Sequence, residues 1–364
     1  MAGVRQPAPA QAGGSARRSG ESCRHPVRPG GPLFDAGEDS ASGRRLDKEK
    51  ASREAETMRI VVALGGNALL HRGERPDADV QRANTVRVAT AIAALAHDHD
   101  LVVTHGNTPQ LDLLAAQSTA DAALTAPYPL DLLGAQTQGV IGTLLARALH
   151  DVLPGRRVVT LVTHTRVRVD DPAFAHPTEL VGPVYPEKPA RFLAERHGWH
   201  MAEDRHGWRR VVPAPSPERI LEADTVRALL ESGTLVVCAG GGGIPVVADW
   251  ATGALHGVDA VVDKDLAAAR LAEDLKADFL LVLTDVPNVY AGYGTPDQRP
   301  VLDATPAELR DAHYPVESMG PKAEAAARFV ENTGHLAAIG ALDAAYEIVH
   351  GRSGTLVRPD LPVT

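Results

Sequence analysis

The sequence predicts an α/β fold with a mostly parallel central sheet. Short apolar segments alternate with longer segments whose apolar residues recur at helical spacing, which is the pattern of βαβ units. Hydrophobic residues make up 44% of the 364-residue chain but aromatic residues only 4%, so small aliphatic side chains must fill the core. Side chains of this size suit helices that lie close on a parallel sheet.

The alternation runs from Arg59 to Gly340 and is interrupted once. The predicted strands are Arg59–Leu64, Leu101–Thr104, Arg157–Thr163, Thr234–Cys238, Phe279–Leu283 and Ala337–Gly340. The predicted helices are Val80–His97, Leu132–Leu149, Ile220–Ser232, Asp265–Leu275 and Pro321–Thr333. Between about residues 167 and 217 the chain is dense in Pro, Trp, His and charge, which indicates an inserted, β-rich flap.

The first 57 residues differ from the rest of the chain. They are rich in Gly, Ala, Pro, Ser and Arg and show no apolar periodicity, which is typical of a disordered extension. Met58 stands directly before the first predicted strand. We therefore expect one folded domain over residues 58–364, with the flap inserted in it.

Composition excludes several classes of protein. A net charge of −9 argues against a nucleic-acid surface, although it allows a local positive pocket for a small anion. Two cysteines cannot build a disulfide framework or a zinc site, and we predict no protein metal site. The sequence has neither an apolar run long enough for a membrane nor the apolar core of a secretory signal, so we expect a cytoplasmic protein.

Three predicted strands end in turns rich in glycine and asparagine. These turns are Gly65-Gly66-Asn67, Gly106-Asn107 and Gly240–Gly243. Glycine allows close approach to a phosphate, and successive backbone N–H groups beside a helix N-terminus attract anions. One such turn could be a plain strand–helix connection. Three at the same edge of a parallel sheet indicate a phosphate site.

Two lysines stand at predicted helix starts. Lys264 lies between Asp263 and Asp265, and Lys322 follows Gly320 and Pro321. Phosphoryl transfer depends mostly on positioning and on cations at the transferring oxygens, so the sequence predicts a phosphotransferase for a small anion. The two aspartates could orient the lysine, hold Mg²⁺ together with nucleotide phosphates, or cap the helix.

Other nucleotide motifs are absent or incomplete. The sequence contains no Gly-x4-Gly-Lys-Ser/Thr phosphate loop. Gly240–Gly243 follows a strand but lacks the third glycine of the dinucleotide pattern. Because a glycine run does follow a strand, an NAD-dependent enzyme is the alternative from a different class, and the missing third glycine argues against it.

Residues 58 to about 357 resemble carbamate kinase, of the amino-acid-kinase superfamily. Motifs that carry this resemblance are Ala63–Leu69, Thr104–Asn107, Leu133–Gly139, Gly207–Pro213, Ala239–Pro245, Val262–Asp265, Leu283–Val286 and Ser318–Lys322. The resemblance implies a three-layer αβα sandwich, a homodimer, and reversible phosphoryl transfer between ATP and carbamate that gives ADP and carbamoyl phosphate. It also implies that Mg²⁺ accompanies the nucleotide and that the flap is a lid over the substrate.

The resemblance assigns roles to matching residues. It implies that Lys264, Lys322 and Asp265 are catalytic. It implies that the small substrate and the transferring phosphoryl group are held by Gly65, Gly66, Asn67, Gly106 and Asn107. It implies that the nucleotide site includes Gly241, Gly242, Asp263, Thr284, Asp285 and Met319.

Two positions depart from the family pattern. Thr108 stands where the family has glycine after the second loop, and Glu179 replaces the lysine of the lid motif Pro-Thr-Lys-Pro. Exchanging a cation for an anion near a bound anion reverses an interaction of roughly 1–4 kcal/mol. Either another cation substitutes, such as Lys188 or Arg168, or the small substrate differs. The alternatives are a related enzyme for another small carboxylate or acyl phosphate, and a nucleotide-binding regulator without catalysis.

Overall fold

Strands and helices alternate through residues 57–71, 73–315 and 318–360, which are the residues that the computed structural model describes. The strands are β1 Arg59–Leu64, β2 Asp100–His105, β3 Arg157–Thr160, β4 His164–Arg166, β5 Glu179–Tyr185, β6 His200–Asp204, β7 Gly207–Val212, β8 Arg219–Ile220, β9 Thr234–Val237, β10 Ile244–Ala248, β11 Leu255–Gly257, β12 Phe279–Thr284, β13 Val289–Ala291, β14 Arg299–Val301, β15 Asp303–Ala304, β16 Leu336–Ala341 and β17 Thr355–Val357. The α-helices are α1 Gly66–Leu69, α2 Ala78–Asp98, α3 Thr108–Ala120, α4 Leu130–Val152, α5 Glu187–His197, α6 Ala223–Glu231, α7 Lys264–Leu275, α8 Pro306–Asp311, α9 Met319–Thr333 and α10 Ala345–Val349.

The largest sheet has eight strands in the order β15-β17-β16-β12-β1-β2-β9-β3. Its strands pair in parallel except for β16 with β17. This sheet confirms the predicted α/β fold class. Its central strands are almost wholly apolar, as expected where helices cover both faces.

Alternate residues of the central strands face opposite cores. Val61 and Ala63 of β1 pack into the core that contains α6, α7 and α9. Ile60 and Val62 pack into the core that contains α2, α4 and α10. Because side chains alternate along a strand, one sheet can support a helical layer on each face. The result is the three-layer αβα sandwich that the resemblance implied.

The helix predicted over Ile220–Ser232 begins later than expected. Arg219–Ile220 form strand β8, which pairs with β4 at the edge of a second sheet ordered β11-β10-β4-β8. The helix then starts at Ala223. An apolar residue such as Ile220 fits either element, and only the neighbouring strand decides between them.

The stretch between β4 and β8 contains its own small sheet. Strands β5, β7 and β6 pair antiparallel in that order, and α5 packs against β6 and β7. Strand β5 packs against α3, with Val181 in the same apolar cluster as Leu111. We call residues 167–217 the lid. Its boundaries are those predicted from the sequence, and its role as a lid remains a prediction.

The predicted extension, residues 1–57, lies outside the described residues except for Thr57. All described residues belong to the unit Ala55–Thr364. Within them, every helix is too short or too polar to cross a bilayer.

Candidate active site

Four neighbouring strands bring the predicted site residues to one edge of the large sheet. The strands β12, β1, β2 and β9 are adjacent in that order, and all run parallel. Their carboxyl ends therefore lie side by side, and Thr284, Gly65, Gly106 and Gly240 follow one another along this edge. The spacing of adjacent strands, about 4.8 Å, places these four turns within a span of roughly 15 Å.

The first two glycine turns touch each other and both lysines. A β-carbon at Gly106 would lie 2.9 Å from the Gly66 Cα atom and 3.1 Å from Lys264 Cδ. A β-carbon at Gly65 would lie 3.1 Å from the Leu283 carbonyl oxygen and 4.0 Å from Lys322 Cε. The glycines therefore let the backbone pass close to the lysine side chains.

The two lysines converge on one buried carboxylate. Asp265 Oδ2 lies 2.8 Å from Lys322 Nζ and 3.4 Å from Lys264 Nζ. The Asp265 side chain is 1% exposed, whereas Lys264 keeps 26% of its side chain accessible. The carboxylate thus anchors both ammonium groups, and Lys264 stays open to a ligand.

Opposite charges decide the ionisation of this group. Burial by itself would raise the pKa of Asp265, but Lys264 and Lys322 outweigh burial and hold that pKa below its usual range. The Asp265 carboxylate also raises the pKa of Lys264, against the effect of burial. Both groups therefore stay charged at neutral pH. The Asp265 Oδ1 atom is buried and has no hydrogen-bond partner among the described residues.

Asp263 is occupied in capping helix α7. Its Oδ1 atom accepts hydrogen bonds from the backbone N–H groups of Asp265 and Leu266, both at 2.9 Å. Burial and the nearby Asp265 raise the pKa of Asp263. Of the roles that the sequence left open, the structure shows the cap, which starts the helix at Lys264. A direct role for Asp263 at the nucleotide remains a prediction.

The second glycine turn leads into helix α3. Asn107 is the N-cap residue, but its side chain donates to Thr137 Oγ1 at 2.9 Å instead of capping the helix. Thr108 is the exposed first residue of α3, so the departure at this position does not crowd the turn. The first N–H groups of α3 thus have no side-chain cap at the same edge, which favours an anion there.

The third glycine turn packs tightly against the second. A β-carbon at Gly241 would lie 2.1 Å from Asn107 Nδ2, and one at Gly242 would lie 2.1 Å from the Val262 carbonyl oxygen. Their φ angles of +62° and +88° are also ones that favour glycine. Gly240 meets the His105 ring and Gly243 meets Thr165 Oγ1 in the same way. Each glycine of the run is therefore required by a close contact.

This packing separates Gly241 and Gly242 from the predicted nucleotide residues Thr284 and Asp285, although Gly242 contacts Val262, which precedes Asp263. They follow β9, which β2 and β1 separate from β12 and hence from Thr284. The contact with Asn107 puts Gly241 beside the predicted small-substrate loop. The sequence could not show this, because only the strand order determines which turns are neighbours.

On the opposite side, Thr284 and Asp285 meet the first glycine turn. Asp285 accepts hydrogen bonds from Asn67 Nδ2 at 3.0 Å and from Thr284 Oγ1 at 3.1 Å. Met319 is the first residue of helix α9 and lies one turn before Lys322. These residues surround the Lys322 side of the site.

Sequence reasoning missed a buried polar layer beneath the glycine turns. The Gln138 side chain donates to the Thr163 carbonyl oxygen at 3.1 Å and accepts from the Thr163 N–H at 3.0 Å. Thr163 Oγ1 in turn accepts from the Ala239 N–H at 2.8 Å. His105 Nδ1 lies 3.0 Å from the Gly106 carbonyl oxygen, which can only accept, so this nitrogen carries the proton. Polar residues directly after an apolar strand were the available signal.

Among the described residues, neither Arg168 nor Lys188, the two cations suggested as substitutes for the lid lysine, forms a hydrogen bond or ion pair with a site residue. Arg168 forms an exposed ion pair with Asp170 at 2.7 Å. Lys188 belongs to helix α5, which packs on the lid strands β6 and β7. Neither residue therefore supplies the positive charge that is lost where Glu179 replaces the lysine of the family motif.

We expect Gly242→Ala to lower the free energy of unfolding far more than Gly253→Ala. Both glycines have positive φ, +88° and +72°, but a β-carbon at Gly253 would have nothing within 4 Å. The control should therefore cost only the backbone strain, about 1–2 kcal/mol, and Gly242→Ala roughly 3 kcal/mol or more. Urea unfolding of the three proteins measures the difference. Equal losses would show that the turn relaxes around a β-carbon.

We expect His105 to make stability depend on pH. Burial lowers the pKa of His105 from 6.5 to about 4, so the folded protein keeps the ring neutral while the unfolded chain takes up a proton. The stabilisation is complete above pH 6.5 and is lost as the pH falls towards 4, by at most about 1.4 kcal/mol per pH unit. Unfolding curves of wild type and His105→Gln between pH 7 and 4 isolate this slope, with the exposed His256→Gln as control. Parallel curves for wild type and His105→Gln would contradict the prediction.

Comparison with known proteins agrees with this geometry. The amino acid kinase family model matches residues 58–340. The carbamate kinase of Rhizobium meliloti (strain 1021) is 47% identical over 302 residues, which cover 82% of this chain and 93% of the relative. The carbamate kinase of Haemophilus influenzae is 44% identical over 301 residues, which cover 82% of this chain and 96% of the relative. The structure of Giardia lamblia carbamate kinase bound to AMP-PNP has a TM-score of 0.79 and 37% identity, covering 84% of this chain and 99% of that one. The chain therefore belongs to the carbamate kinases of the amino acid kinase family.

Proposed function

We propose that the chain is a carbamate kinase, which transfers a phosphoryl group reversibly between ATP and carbamate. The observation that carries this proposal is the pair of lysines held by Asp265 between the Gly65 and Gly106 turns. This arrangement supplies two cations and a row of backbone N–H groups where a phosphoryl group passes between two acceptors. The relatives with that name share 41–47% of their residues with this chain, which supports the same substrates.

In the direction of ATP synthesis, an oxygen of the ADP β-phosphate attacks the phosphorus of carbamoyl phosphate. The bond between phosphorus and the carbamoyl oxygen breaks, and carbamate leaves with that electron pair. Negative charge spreads over the three equatorial oxygens during this step. Lys264 and Lys322 neutralise that charge from fixed positions, because Asp265 holds both ammonium groups before the substrate arrives.

The two sides of the lysine pair suit different ligands. On one side, Thr284, Asp285 and Met319 lie beyond the first glycine turn and are proposed to line the nucleotide site. On the other side, Gly106 and Asn107 are proposed to hold the small substrate. Gly241 packs against Asn107 of this second turn, so we assign Gly241 to the small-substrate end instead of the nucleotide.

Magnesium is part of the proposal as an ion that enters with the nucleotide. No group of three or more His, Cys, Asp or Glu side chains in the described residues has the geometry of a metal site. A site with a single available carboxylate is compatible with Mg²⁺, which commonly takes one or two carboxylates and is otherwise held by phosphates and water. The Oδ1 atom of Asp265, the carboxylate that both lysines contact, is buried and has no hydrogen-bond partner among the described residues. When bound, the ion would neutralise charge on the nucleotide oxygens.

The decisive assay is ATP formation from ADP, Mg²⁺ and carbamoyl phosphate. We expect the wild type to turn over and Lys322→Ala to lower kcat by about 10²–10³-fold, since a charge-stabilising group acts mainly in the transition state. Lys188→Ala removes an exposed lid lysine and should leave kcat unchanged.

Each contrary outcome has its own meaning. Nucleotide binding without turnover would favour the alternatives, an enzyme for another small carboxylate or acyl phosphate, or a regulator. An unchanged kcat in Lys322→Ala, measured below the melting temperature of the variant, would remove Lys322 from the mechanism.

We also propose a cytoplasmic homodimer, on the basis of the family resemblance. Helix α4 carries the exposed apolar side chains Leu132 and Val140, 47% and 55% accessible, which a second copy could cover. Light scattering of the eluting protein should give twice the chain mass of 38.4 kDa. A single-chain mass at micromolar concentration would contradict the dimer.

A further inference from the structure

The lid residue Glu179 lies beside the segment that carries Lys264. Glu179 is the first residue of β5 and pairs with Val212 in β7, and the Thr178 N–H donates to the Val212 carbonyl oxygen at 3.1 Å. The next residue, Pro213, accepts from the Val261 N–H at 3.0 Å. Val261 stands three residues before Lys264. Two hydrogen bonds thus connect the start of β5 to the loop that ends at the catalytic lysine.

Two of the charges that act on Glu179, Asp263 and Lys264, belong to the active site. Its carboxyl group is partly buried, and burial followed by the nearby Asp263 raises its pKa, while Lys264 and Arg209 lower it and Asp112 raises it. The groups that face it therefore come from α7, from β7 and from α3. Among the described residues we find no hydrogen bond or ion pair made by this carboxylate. Glu179 is therefore an acceptor near Lys264 that has no hydrogen-bond partner among the described residues.

A clasp holds the lid strand in this position. Asp112 Oδ1 accepts from the Gly182 N–H at 2.7 Å, and Asp112 Oδ2 accepts from Arg209 Nη2 at 2.9 Å. Arg209 Nε closes the ring by donating to the Gly182 carbonyl oxygen at 3.0 Å. Since Asp112 lies in α3, which begins at the second glycine turn, the clasp ties β5 to the small-substrate loop. Arg209 forms an ion pair with Asp112 and also lowers the pKa of Glu179, but no hydrogen bond joins Arg209 to Glu179 among the described residues.

A carboxylate at this place is a poor partner for phosphate but a good one for an amide N–H. Lys264 and Lys322, which both contact Asp265, already serve the phosphoryl group. The remaining part of carbamoyl phosphate is a planar carbamoyl group, whose nitrogen carries two N–H donors. An acyl phosphate with a methyl group in that place has nearly the same size and no donor there.

We propose that Glu179 is a specificity-determining residue that accepts a hydrogen bond from the amino group of the carbamoyl substrate. This inference rests on the proposed function and adds a basis for selection to it. A site built to bind an N–H group discriminates strongly against an analogue that lacks it, because the buried acceptor is then left unpaired. The lid thereby selects carbamoyl phosphate over other acyl phosphates.

The test compares carbamoyl phosphate with acetyl phosphate on the full chain, with ADP and Mg²⁺. Acetyl phosphate is measured both as a phosphoryl donor and as a competitive inhibitor, so that its binding is known even if turnover is slow. We expect Glu179→Ala to lower the preference for carbamoyl phosphate by about 10–100-fold, while acetyl phosphate binds as well or better. Glu179→Gln keeps an acceptor oxygen and should retain part of the preference. Glu203→Ala, an exposed lid carboxylate in β6, should leave it unchanged.

The variant Glu179→Lys distinguishes a hydrogen bond to the substrate amino group from simple repulsion between the Glu179 carboxylate and the phosphate. If Glu179 only repels the phosphate, a lysine there raises kcat/KM for both phosphoryl donors equally and the inference fails. If Glu179 accepts from the amino group, the lysine lowers the preference for carbamoyl phosphate. Turnover by wild type with an unchanged preference in Glu179→Ala would overturn this inference alone. A wild type that makes no ATP from carbamoyl phosphate would overturn the proposed function and this inference with it.

Discussion

The site depends on one buried carboxylate that two lysines share. Asp265 lies at the start of a helix that packs on the central sheet, and it is almost inaccessible to solvent. Removing one partner from a buried charge cluster typically costs about 3–5 kcal/mol, because a charge is left without compensation. The Lys264–Asp265–Lys322 cluster therefore joins helices α7 and α9 as well as holding the ammonium groups. The same interaction that stabilises the helix pair keeps two cations ready at the sheet edge.

The glycine turns make that cluster accessible. Gly65 and Gly106 have no side chain between the backbone and the lysines, so a phosphoryl group can reach both backbone N–H groups and ammonium groups. Gly241 and Gly242 serve a different need, since they let the third turn pack on Asn107 and Val262. Glycine-rich turns that look alike in a sequence thus have distinct physical functions, one towards a ligand and the other towards the protein.

Local pattern predicted the elements near the site well. Strand β1 has the predicted bounds, and Lys264 begins a helix one residue before the predicted start. Helix α3 was not predicted, because Gln110, Ser118 and Thr119 interrupt its apolar face and its hydrogen bonds to other elements stabilise it. Strand β8 was predicted as helix, because two residues at a sheet edge carry no periodicity of their own.

The sequence by itself determined the α/β class, the glycine turns and the two lysines, since each depends on residue type and spacing along the chain. Only the tertiary structure decided which turns are neighbours, because strand order is set by packing between distant segments. It placed Gly241 against Asn107 and Gly242 against Val262, made the Asp263 carboxylate a helix cap, and brought Glu179 near Lys264. Charges far apart in sequence interact through the fold, so their partners could not be deduced from local pattern.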